Sequence, residues 1–419
     1  MSRKLNTEVL VVGAGPSGLT TALLLAEAGV RVTIIDREQR PATHSYACGL
    51  HPRSLKLLDR LGLLDGIQDQ ARRITAVAFY SPEHGREAEA SLSALPVEFP
   101  FVLVLPQDQL EARLAERLAE LECPVLWHHR LASLAAGHDG VRAEVDQLVG
   151  TATGCAVPRW QWVVGRTIEV DAAFVVGADG HHSMVRQALG IENERLAAPE
   201  HYAVYEFEPE IELGDELGVV LTESTTSVLW PLPGRRCRWS FQLAGWEETE
   251  FAEKDREPFW GEAPAVADRT RRRLQQRLAA QAPWFGTGIR TVDWAADIQF
   301  QHRLARQYGR GRCWLVGDAA HQTGPAGIQS MNVGLLEAED LAGRLAQLIR
   351  EAAPEALLTA YEQVHRDEWR LLLGAKGTPR PGPATKPWVG RYGRQILSSL
   401  PASGHELSLL LTQLGLSLP

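Results

Sequence analysis

Three glycines near the start of the chain have the spacing that a bound diphosphate requires. Gly13, Gly15 and Gly18 follow an apolar run, Val9 to Val12, and precede a helix-like stretch. The first glycine permits a tight turn, the second lets backbone N–H groups approach phosphate oxygens, and the third lets the helix pack close to the strand. The N-terminus of that helix faces the phosphate charge. The pattern predicts a turn that binds the pyrophosphate of a dinucleotide.

An acidic residue stands where this motif needs one. Asp36 ends the second apolar run, Val30 to Ile35, roughly 20 residues beyond the glycines, where a carboxylate meets the ribose hydroxyls. The alternative is a glycine-rich turn that binds no ligand. A strand before the glycines, a helix after them and the acid downstream together argue against that alternative.

A second glycine-containing segment lies about 300 residues further along. The apolar run Cys313 to Val316 ends in Gly317 and Asp318, and a Pro/Gly loop then leads into a helix. A carboxylate at a strand end accepts hydrogen bonds from hydroxyl groups well. Backbone N–H groups at a helix start can stabilise negative charge on a bound ring. This segment suits a flavin, as the first suits a pyrophosphate.

The elements that position these residues are of two kinds. Helical periodicity is typical of Leu50 to Leu64, Gln107 to Leu121 and Met331 to Arg350, and a final helix is predicted over Arg394 to Leu416. From His201 to Trp246 the pattern changes to the alternation of antiparallel strands. We expect an α/β fold in which an antiparallel-sheet lobe is inserted into a Rossmann-like nucleotide-binding domain. That domain is therefore discontinuous, and helices complete the C-terminus.

Composition narrows the class of protein. The net charge of −9 and the lack of a Lys/Arg run argue against a nucleic-acid partner. The five cysteines are scattered without a CxxC pair, so we expect neither disulfides nor a metal site, and a reducing cytoplasm fits. The nucleotide motif leaves no room for a signal peptide, and no apolar stretch is long enough to be a transmembrane segment. We expect a cytoplasmic monomer or homodimer.

Three motifs occur in a characteristic order: GAGPSG at 13–18, GADGHHSMVR at 177–186 and GDAAHQTGPAGIQSMNVG at 317–334. Together they resemble the FAD-dependent aromatic hydroxylases of the para-hydroxybenzoate hydroxylase class, over roughly residues 5 to 345. The resemblance implies that NADH or NADPH, as a transient reductant, passes hydride to FAD and that the reduced flavin captures O2. A flavin C4a-hydroperoxide then hydroxylates an aromatic, phenolic substrate. Twelve tryptophans favour a larger natural product as that substrate.

The resemblance also implies which residues bind FAD. The glycine turn and Asp36 would hold the ADP half with Arg37 beside the adenosine, and Gln107 would contact the middle of the cofactor. Asp179 would serve both FAD and the passing nicotinamide, with helix capping as its alternative role. The implied set is Gly13, Gly15, Pro16, Ser17, Gly18, Asp36, Arg37, Gln107, Asp179, Gly317, Asp318, Pro325, Gly327, Ile328, Met331 and Asn332.

A phenolic substrate is activated by losing its proton, so a general base near the ring would assist. The candidates are His51, Tyr46 and His321, because histidine titrates in the useful range. For each, a hydrogen-bonded loop or helix-cap role is the alternative. The chain has no arginine between Arg40 and Arg53, where many members of the family carry one. Tyr46 is a candidate to replace it.

Other flavoprotein classes fit less well. A flavin-dependent halogenase shares the first and last motifs, but its Trp-x-Trp-x-Ile-Pro segment is missing, and a disulfide reductase would need a CxxxxC pair. A non-catalytic flavin-binding redox protein stays open, as do the substrate and the choice between NADH and NADPH. The expected division assigns 1–73, 101–198 and 303–350 to the FAD-binding domain, 74–100 and 199–302 to the substrate lobe, and 351–419 to a C-terminal helical region.

Overall fold

A computed structural model describes residues 4–39, 49–153, 159–244 and 264–419. Its strands are β1 (Lys4–Val12), β2 (Val32–Ile35), β3 (Gly49–Leu50), β4 (Arg72–Ile74), β5 (Ala76–Ser81), β6 (Gly85–Ser91), β7 (Val102–Val104), β8 (His129–Ala136), β9 (Val141–Thr153), β10 (Arg159–Gly177), β11 (Asn193–Pro209), β12 (Glu216–Leu221), β13 (Thr226–Pro231), β14 (Cys237–Gln242), β15 (Ile289–Ala305), β16 (Gly309–Arg310), β17 (Cys313–Leu315), β18 (His321–Gln322), β19 (Arg380–Pro381) and β20 (Leu416–Ser417). Its helices are α1 (Pro16–Glu27), α2 (Pro52–Arg60), α3 (Leu64–Gln68), α4 (Gln107–Glu120), α5 (Met184–Ala188), α6 (Pro264–Gln281), α7 (Gln329–Glu351), α8 (Ala356–Leu372), α9 (Pro387–Arg391), α10 (Gly393–Ser399) and α11 (Gly404–Gln413).

The first sheet brings the three glycine-containing motifs to one edge. Its strand order is β16-β17-β10-β1-β2, and β9 and β8 continue it beside β10. Strands β2, β1, β10 and β17 are parallel, so Val12 pairs with both Ile35 and Gly177, and Gly177 pairs with Leu315. Ligands of open parallel sheets bind beyond the carboxyl ends of the strands. The GAGPSG, GADG and GDAA segments all begin at this edge.

A second, eight-stranded sheet lies next to the motif edge. Its order is β18-β15-β11-β14-β13-β12-β5-β6, and every pairing is antiparallel except that of β12 with β5. One face carries a core of aromatic and aliphatic side chains that includes Trp239, Phe241 and Leu278 of α6. Strand β18 joins the sheet through the pair of Leu304 with His321. Because His321 follows the GDAA turn directly, this pairing fixes the second sheet against the third motif.

The α/β fold predicted from the sequence is confirmed, but two predicted helices are wrong in extent. The helix predicted over Leu50 to Leu64 ends at Arg60, where Gly62 turns the chain with a φ of +68°, and α3 then begins separately. The tail predicted as one helix over Arg394 to Leu416 is two helices and a short strand. Pro401 separates them, because proline lacks an N–H and forces the preceding residue out of the helical region.

Two further observations complete the fold. Trp246, the predicted end of the alternating region, lies outside the described residues. Among the helices that the structure describes, none has an apolar stretch long enough to cross a bilayer.

Candidate functional site

The glycine turn after β1 leaves open space in front of α1. Gly13 has a φ of +105°, and a Cβ there would overlap the Ala178 carbonyl, so only glycine fits. A Cβ on Gly15, in contrast, would meet no heavy atom within 4 Å. Gly15 is the extended N-cap of α1, whose first turn has neither a side-chain cap nor an acidic residue. The backbone N–H groups of this first turn can therefore bind an anion placed in the open space.

Asp36 lies beside this turn in a fixed orientation. Its Oδ2 accepts a hydrogen bond from the Ala14 N–H at 2.6 Å, and its Oδ1 accepts one from the Glu38 N–H at 2.8 Å. The carboxylate thus stands at the end of β2, next to the end of β1, where a ribose would follow a bound pyrophosphate. Arg37 is exposed, and its Nε lies 3.2 Å from Glu38 Oε1.

The GDAA turn packs directly on α1 and α7. Gly317 has a φ of +63°, and a Cβ on either Gly317 or Gly334 would lie 2.6 Å from the Ser17 hydroxyl oxygen. The close approach of three elements at Ser17 therefore depends on glycine at both positions. Asp318 is exposed beyond this contact, and its Oδ1 accepts a hydrogen bond from Ser330.

One cavity of about 460 Å³ connects these features, a size within the range of roughly 300–1,000 Å³ common for ligand sites. It extends from the start of α1, past Gln107 and Asp318, to the loop before α7, and β15 forms the opposite wall. The predicted residues that line it are Gly15, Pro16, Ser17, Gln107, Asp318, Pro325, Ile328 and Met331. Gly13, Gly18 and Gly317 shape the turns beneath it.

The loop before α7 is held in an unusual backbone conformation. Ile328 has a φ of +49°, which is strained for a β-branched residue and is the kind of feature that clusters at functional sites. Asn332 is fully buried, accepts hydrogen bonds from the His51 N–H and the Ser54 hydroxyl, and donates to the Gly49 and Ile328 carbonyls. Its amide therefore ties the loop to β3 and α2, with its side chain outside the cavity lining.

Of the three proton-acceptor candidates, His51 lies nearest the loop. Its Nε2 is 2.8 Å from the Gly327 carbonyl oxygen, so the neutral ring donates this hydrogen bond. Burial lowers the pKa of His51 to about 3, and the charge of Arg53 acts in the same direction. Its Nδ1 has no partner among the described residues. His321 is buried against Glu337, away from the cavity, and Tyr46 lies outside the described residues.

Asp179 has the geometry of a helix cap. Its Oδ1 accepts from the Ser183 hydroxyl at 2.5 Å, and its Oδ2 accepts from the Met184 and Val185 N–H groups at 2.6 and 3.2 Å. Burial raises the pKa of Asp179, and these hydrogen bonds oppose that rise. The cavity is lined by its neighbours, among them Gly180.

Some residues of the cavity wall were not predicted from the sequence. The residues that were missed come from three segments: Ile298, Gln299, Phe300 and Gln301 of β15, His181 after the GADG turn, and Thr323 and Gly324 before Pro325. Their position within the second and third motifs was an available signal for His181, Thr323 and Gly324. No local pattern indicated that β15 meets the cavity. Seven large aromatic residues of the second sheet lie outside this cavity's lining: Tyr202, Tyr205, Phe207, Trp230, Trp239, Phe241 and Trp294.

Comparison with known proteins identifies the family. Residues 6–372 match the model of the FAD-binding domain family, and the chain belongs to it. The cofactor of this family is FAD. As a relative, 6-methylpretetramide 4-monooxygenase from Streptomyces rimosus is 33% identical over 364 residues, which are 84% of this chain. The chain spans only 58% of that relative's length.

Solved structures show the same fold. A p-nitrophenol 4-monooxygenase from Pseudomonas putida DLL-E4 superposes with a TM-score of 0.73 over 97% of this chain and 93% of its own, at 23% identity. An anhydrotetracycline hydroxylase from Streptomyces rimosus superposes with a TM-score of 0.66 over 97% of this chain and 72% of its own, at 26% identity. Because the p-nitrophenol 4-monooxygenase is only 23% identical to this chain, its similarity shows the fold alone.

Proposed function

We propose that this chain is an FAD-dependent monooxygenase that uses NADH or NADPH and O2 to hydroxylate a phenolic aromatic ring. The observation that carries the proposal is the cavity, in which the loop of residues 325–331 faces Ile298 and Phe300 of the second sheet. A planar ring fits between an apolar wall and a flavin. The names of two relatives, 6-methylpretetramide 4-monooxygenase and anhydrotetracycline 6-monooxygenase, favour a larger substrate than a single ring.

The cofactor would lie along the cavity from one glycine turn to the other. Gly13, Gly15 and Gly18 would hold the pyrophosphate at the start of α1, with Asp36 on the ribose and Arg37 near the adenine. Gln107 and Asp318 would contact the middle of the cofactor, and residues 325–332 the flavin ring. Bound FAD supplies hydride acceptance and oxygen activation.

The chain's own part in the reaction is placement and exclusion of water. The N-terminal N–H groups of α7 are directed toward the loop, where they would stabilise negative charge on a reduced ring. Ile298 and Phe300 would exclude water beside the ring, and the amides of Gln299 and Gln301, which also line the cavity, would orient a substrate hydroxyl. The neutral, buried state of His51 favours a role in positioning Gly327 over one as a proton acceptor. Tyr46 stays a candidate base.

The proposed division into domains separates the segments that carry the FAD-binding motifs from those that form the second sheet. We assign 1–73, 101–198 and 303–350 to the FAD-binding domain, 74–100 and 199–302 to the substrate lobe, and 351–419 to the C-terminal region. The lobe gains a few residues at both boundaries, since β11 begins at Asn193 and pairs with β15 as far as Ala305. Within the C-terminal region, the carbonyls of Leu400 and Ala402 accept hydrogen bonds from Gln329 at 2.6 and 3.0 Å. This region would therefore support the loop of residues 325–331 (the flavin loop) on the side away from the cavity.

The test is substrate-dependent oxygenation by FAD-loaded protein. NADH and NADPH oxidation is measured with phenols of one to four fused rings, and with the O-methyl ether of each as a control that cannot lose a proton. We expect at least one phenol to accelerate oxidation and to gain the mass of one oxygen atom, while its ether does not. Oxidation that yields only hydrogen peroxide with every phenol would contradict the proposal.

A substitution in the cavity wall provides a second test. Phe300→Ala removes an aromatic side chain from the proposed substrate surface, and about 1.5–3 kcal/mol of apolar contact corresponds to a rise in KM of roughly tenfold or more. Phe99→Ala is the matched control, because Phe99 packs on Phe101 outside the cavity lining. Equal effects of the two substitutions on KM would count against a substrate site at β15.

A further inference from the structure

Behind the GDAA turn, the carboxylate of Glu337 is buried together with its partners. Both Glu337 and His321 have no exposed side-chain surface, and His321 Nε2 lies 2.7 Å from Glu337 Oε2. Tyr308 and Trp369, also fully buried, surround the same carboxylate. A buried ionised group is costly unless several donors satisfy it. Burying the carboxylate of Glu337 therefore costs free energy at a position where an apolar side chain would pack without that cost.

The two oxygens of this carboxylate have different partners. Oε1 accepts from the Tyr308 hydroxyl at 3.2 Å and the Trp369 indole N–H at 3.0 Å, both in the core. Oε2 accepts from the Gly317 N–H at 3.0 Å and lies against His321. One oxygen therefore binds the core, and the other binds the turn that presents Asp318.

The charge state of Glu337 matches this arrangement. Burial alone would raise the pKa of Glu337, but the electrostatic influence of the neighbouring His321 and His365 and the hydrogen bonds from His321 and Gly317 lower it below its usual value. The carboxylate is therefore ionised. An ionised acceptor makes the stronger hydrogen bond to the Gly317 N–H.

The position of Glu337 on α7 connects this turn to α1. Gly334, one helical turn earlier on the same face, is the residue whose Cβ would press on Ser17. Ser17 in turn lines the cavity beside the open space at Gly15. A shift of Gly317 would thus move both Asp318 and the start of α1.

We propose that Glu337 is a positioning residue for FAD: its Oε2, held by His321, fixes the Gly317 N–H and so places Asp318 and the α1 N-terminus on the cofactor. The proposal concerns cofactor binding alone, so it stands or falls separately from the hydroxylation reaction. Glutamine at 337 keeps the shape of the side chain but has a single acceptor oxygen. The Gly317 N–H of the variant therefore meets either a neutral amide oxygen, which accepts more weakly than a carboxylate, or an NH2 group, which cannot accept at all.

The test is the dissociation constant of FAD from the apoprotein, measured by fluorescence titration together with the melting temperature. We expect Glu337→Gln to weaken FAD binding roughly tenfold or more, the equivalent of about 1.4 kcal/mol. Glu339→Gln is the matched control, because Glu339 lies on the same helix and pairs with Arg60 at the surface. That control should change affinity by less than about twofold.

A third variant separates positioning from general stability. Tyr308→Phe removes a buried hydrogen bond from Oε1 and leaves Oε2 on the turn, so it should lower the melting temperature with less than about threefold effect on FAD affinity. If Glu337→Gln does not fold, Glu337→Asp takes its place, since it keeps the charge but cannot reach Gly317. Wild-type affinity in the 337 variant, an equal loss in Tyr308→Phe, or failure of both 337 variants to fold would each overturn the proposal.

Discussion

Replacing His51 by glutamine tests whether burial keeps the imidazole of His51, which contacts Gly327 of the flavin loop, in its neutral form. The glutamine amide can still donate to the Gly327 carbonyl, which His51 Nε2 contacts at 2.8 Å, but it does not titrate. In the wild type, burial lowers the pKa of His51 from 6.5 to about 3. The folded protein therefore disfavours protonation, and the unfolded chain takes up the proton first as the pH falls.

The sign and size of the effect follow from linkage. His51 contributes its full stabilisation above pH 6.5, and the contribution declines as the pH falls toward about 3. Each pH unit in that window changes the free energy of unfolding by about 1.4 kcal/mol. Between pH 6.5 and 4 the wild type should therefore lose roughly 3 kcal/mol relative to His51→Gln.

The assay is urea unfolding of the apoproteins at a series of pH values from 7.5 to 4. Groups other than His51 titrate equally in both proteins, so the difference between the two curves isolates His51. His84→Gln, in the exposed turn between β5 and β6, is the matched control, because it makes the same substitution at a histidine that is not buried. Parallel curves for the wild type and His51→Gln would refute the argument that His51 is held neutral by burial.

Three further substitutions probe the backbone and the loop. Gly13→Ala should abolish FAD binding, measured as flavin content after purification, because φ is +105° and the new Cβ would overlap the Ala178 carbonyl. Ala352→Gly should raise the melting temperature, since Ala352 is exposed with a φ of +51° and relief of that strain gives about 0.5–1 kcal/mol. Gln329→Leu should lower the free energy of unfolding by about 1–3 kcal/mol, because two buried carbonyls lose their donor.

Each of these expectations has a contrary outcome. Normal flavin content in Gly13→Ala would show that the turn tolerates a side chain, and Gly343→Ala, at a helical position with open space around it, is the control that should retain FAD. A lower melting temperature for Ala352→Gly would mean that the left-handed conformation carries no strain. Unchanged unfolding of Gln329→Leu would mean that the C-terminal segment does not depend on this side chain.

The sequence predicted the parts of the fold that local patterns encode. Helices α4 and α7 lie within two residues of their predicted limits, because their apolar residues recur at helical spacing. The three glycine motifs could be assigned to strand ends because each follows a short apolar run. The break at Pro401 was also readable in principle, since proline ends a helix, but the apolar run on both sides of it concealed the break.

The rest of the site depends on tertiary pairing, which no local pattern carries. The meeting of β15 with the loop of residues 325–331 results from the pairing of Leu304 with His321, of which only His321 belongs to one of the three motifs. The pKa of His51 depends on burial that its sequence neighbours do not reveal. Glu337 resembles a surface residue in its sequence, LLEAED, yet it has no exposed surface. The roles of such residues depend on partners that are distant in sequence and adjacent only in the folded protein.

Two glycine turns about 300 residues apart bind the two ends of one FAD molecule in the function proposed above, and this is its central claim. The direct measurement is a titration of the apoprotein with FAD and, in parallel, with FMN, which lacks the adenosine monophosphate portion. We predict one FAD bound per chain, and FMN bound at least about a hundredfold more weakly, since FMN cannot reach Asp36 or the full pyrophosphate site. Equal affinity for FAD and FMN, or no binding of either, would contradict the claim.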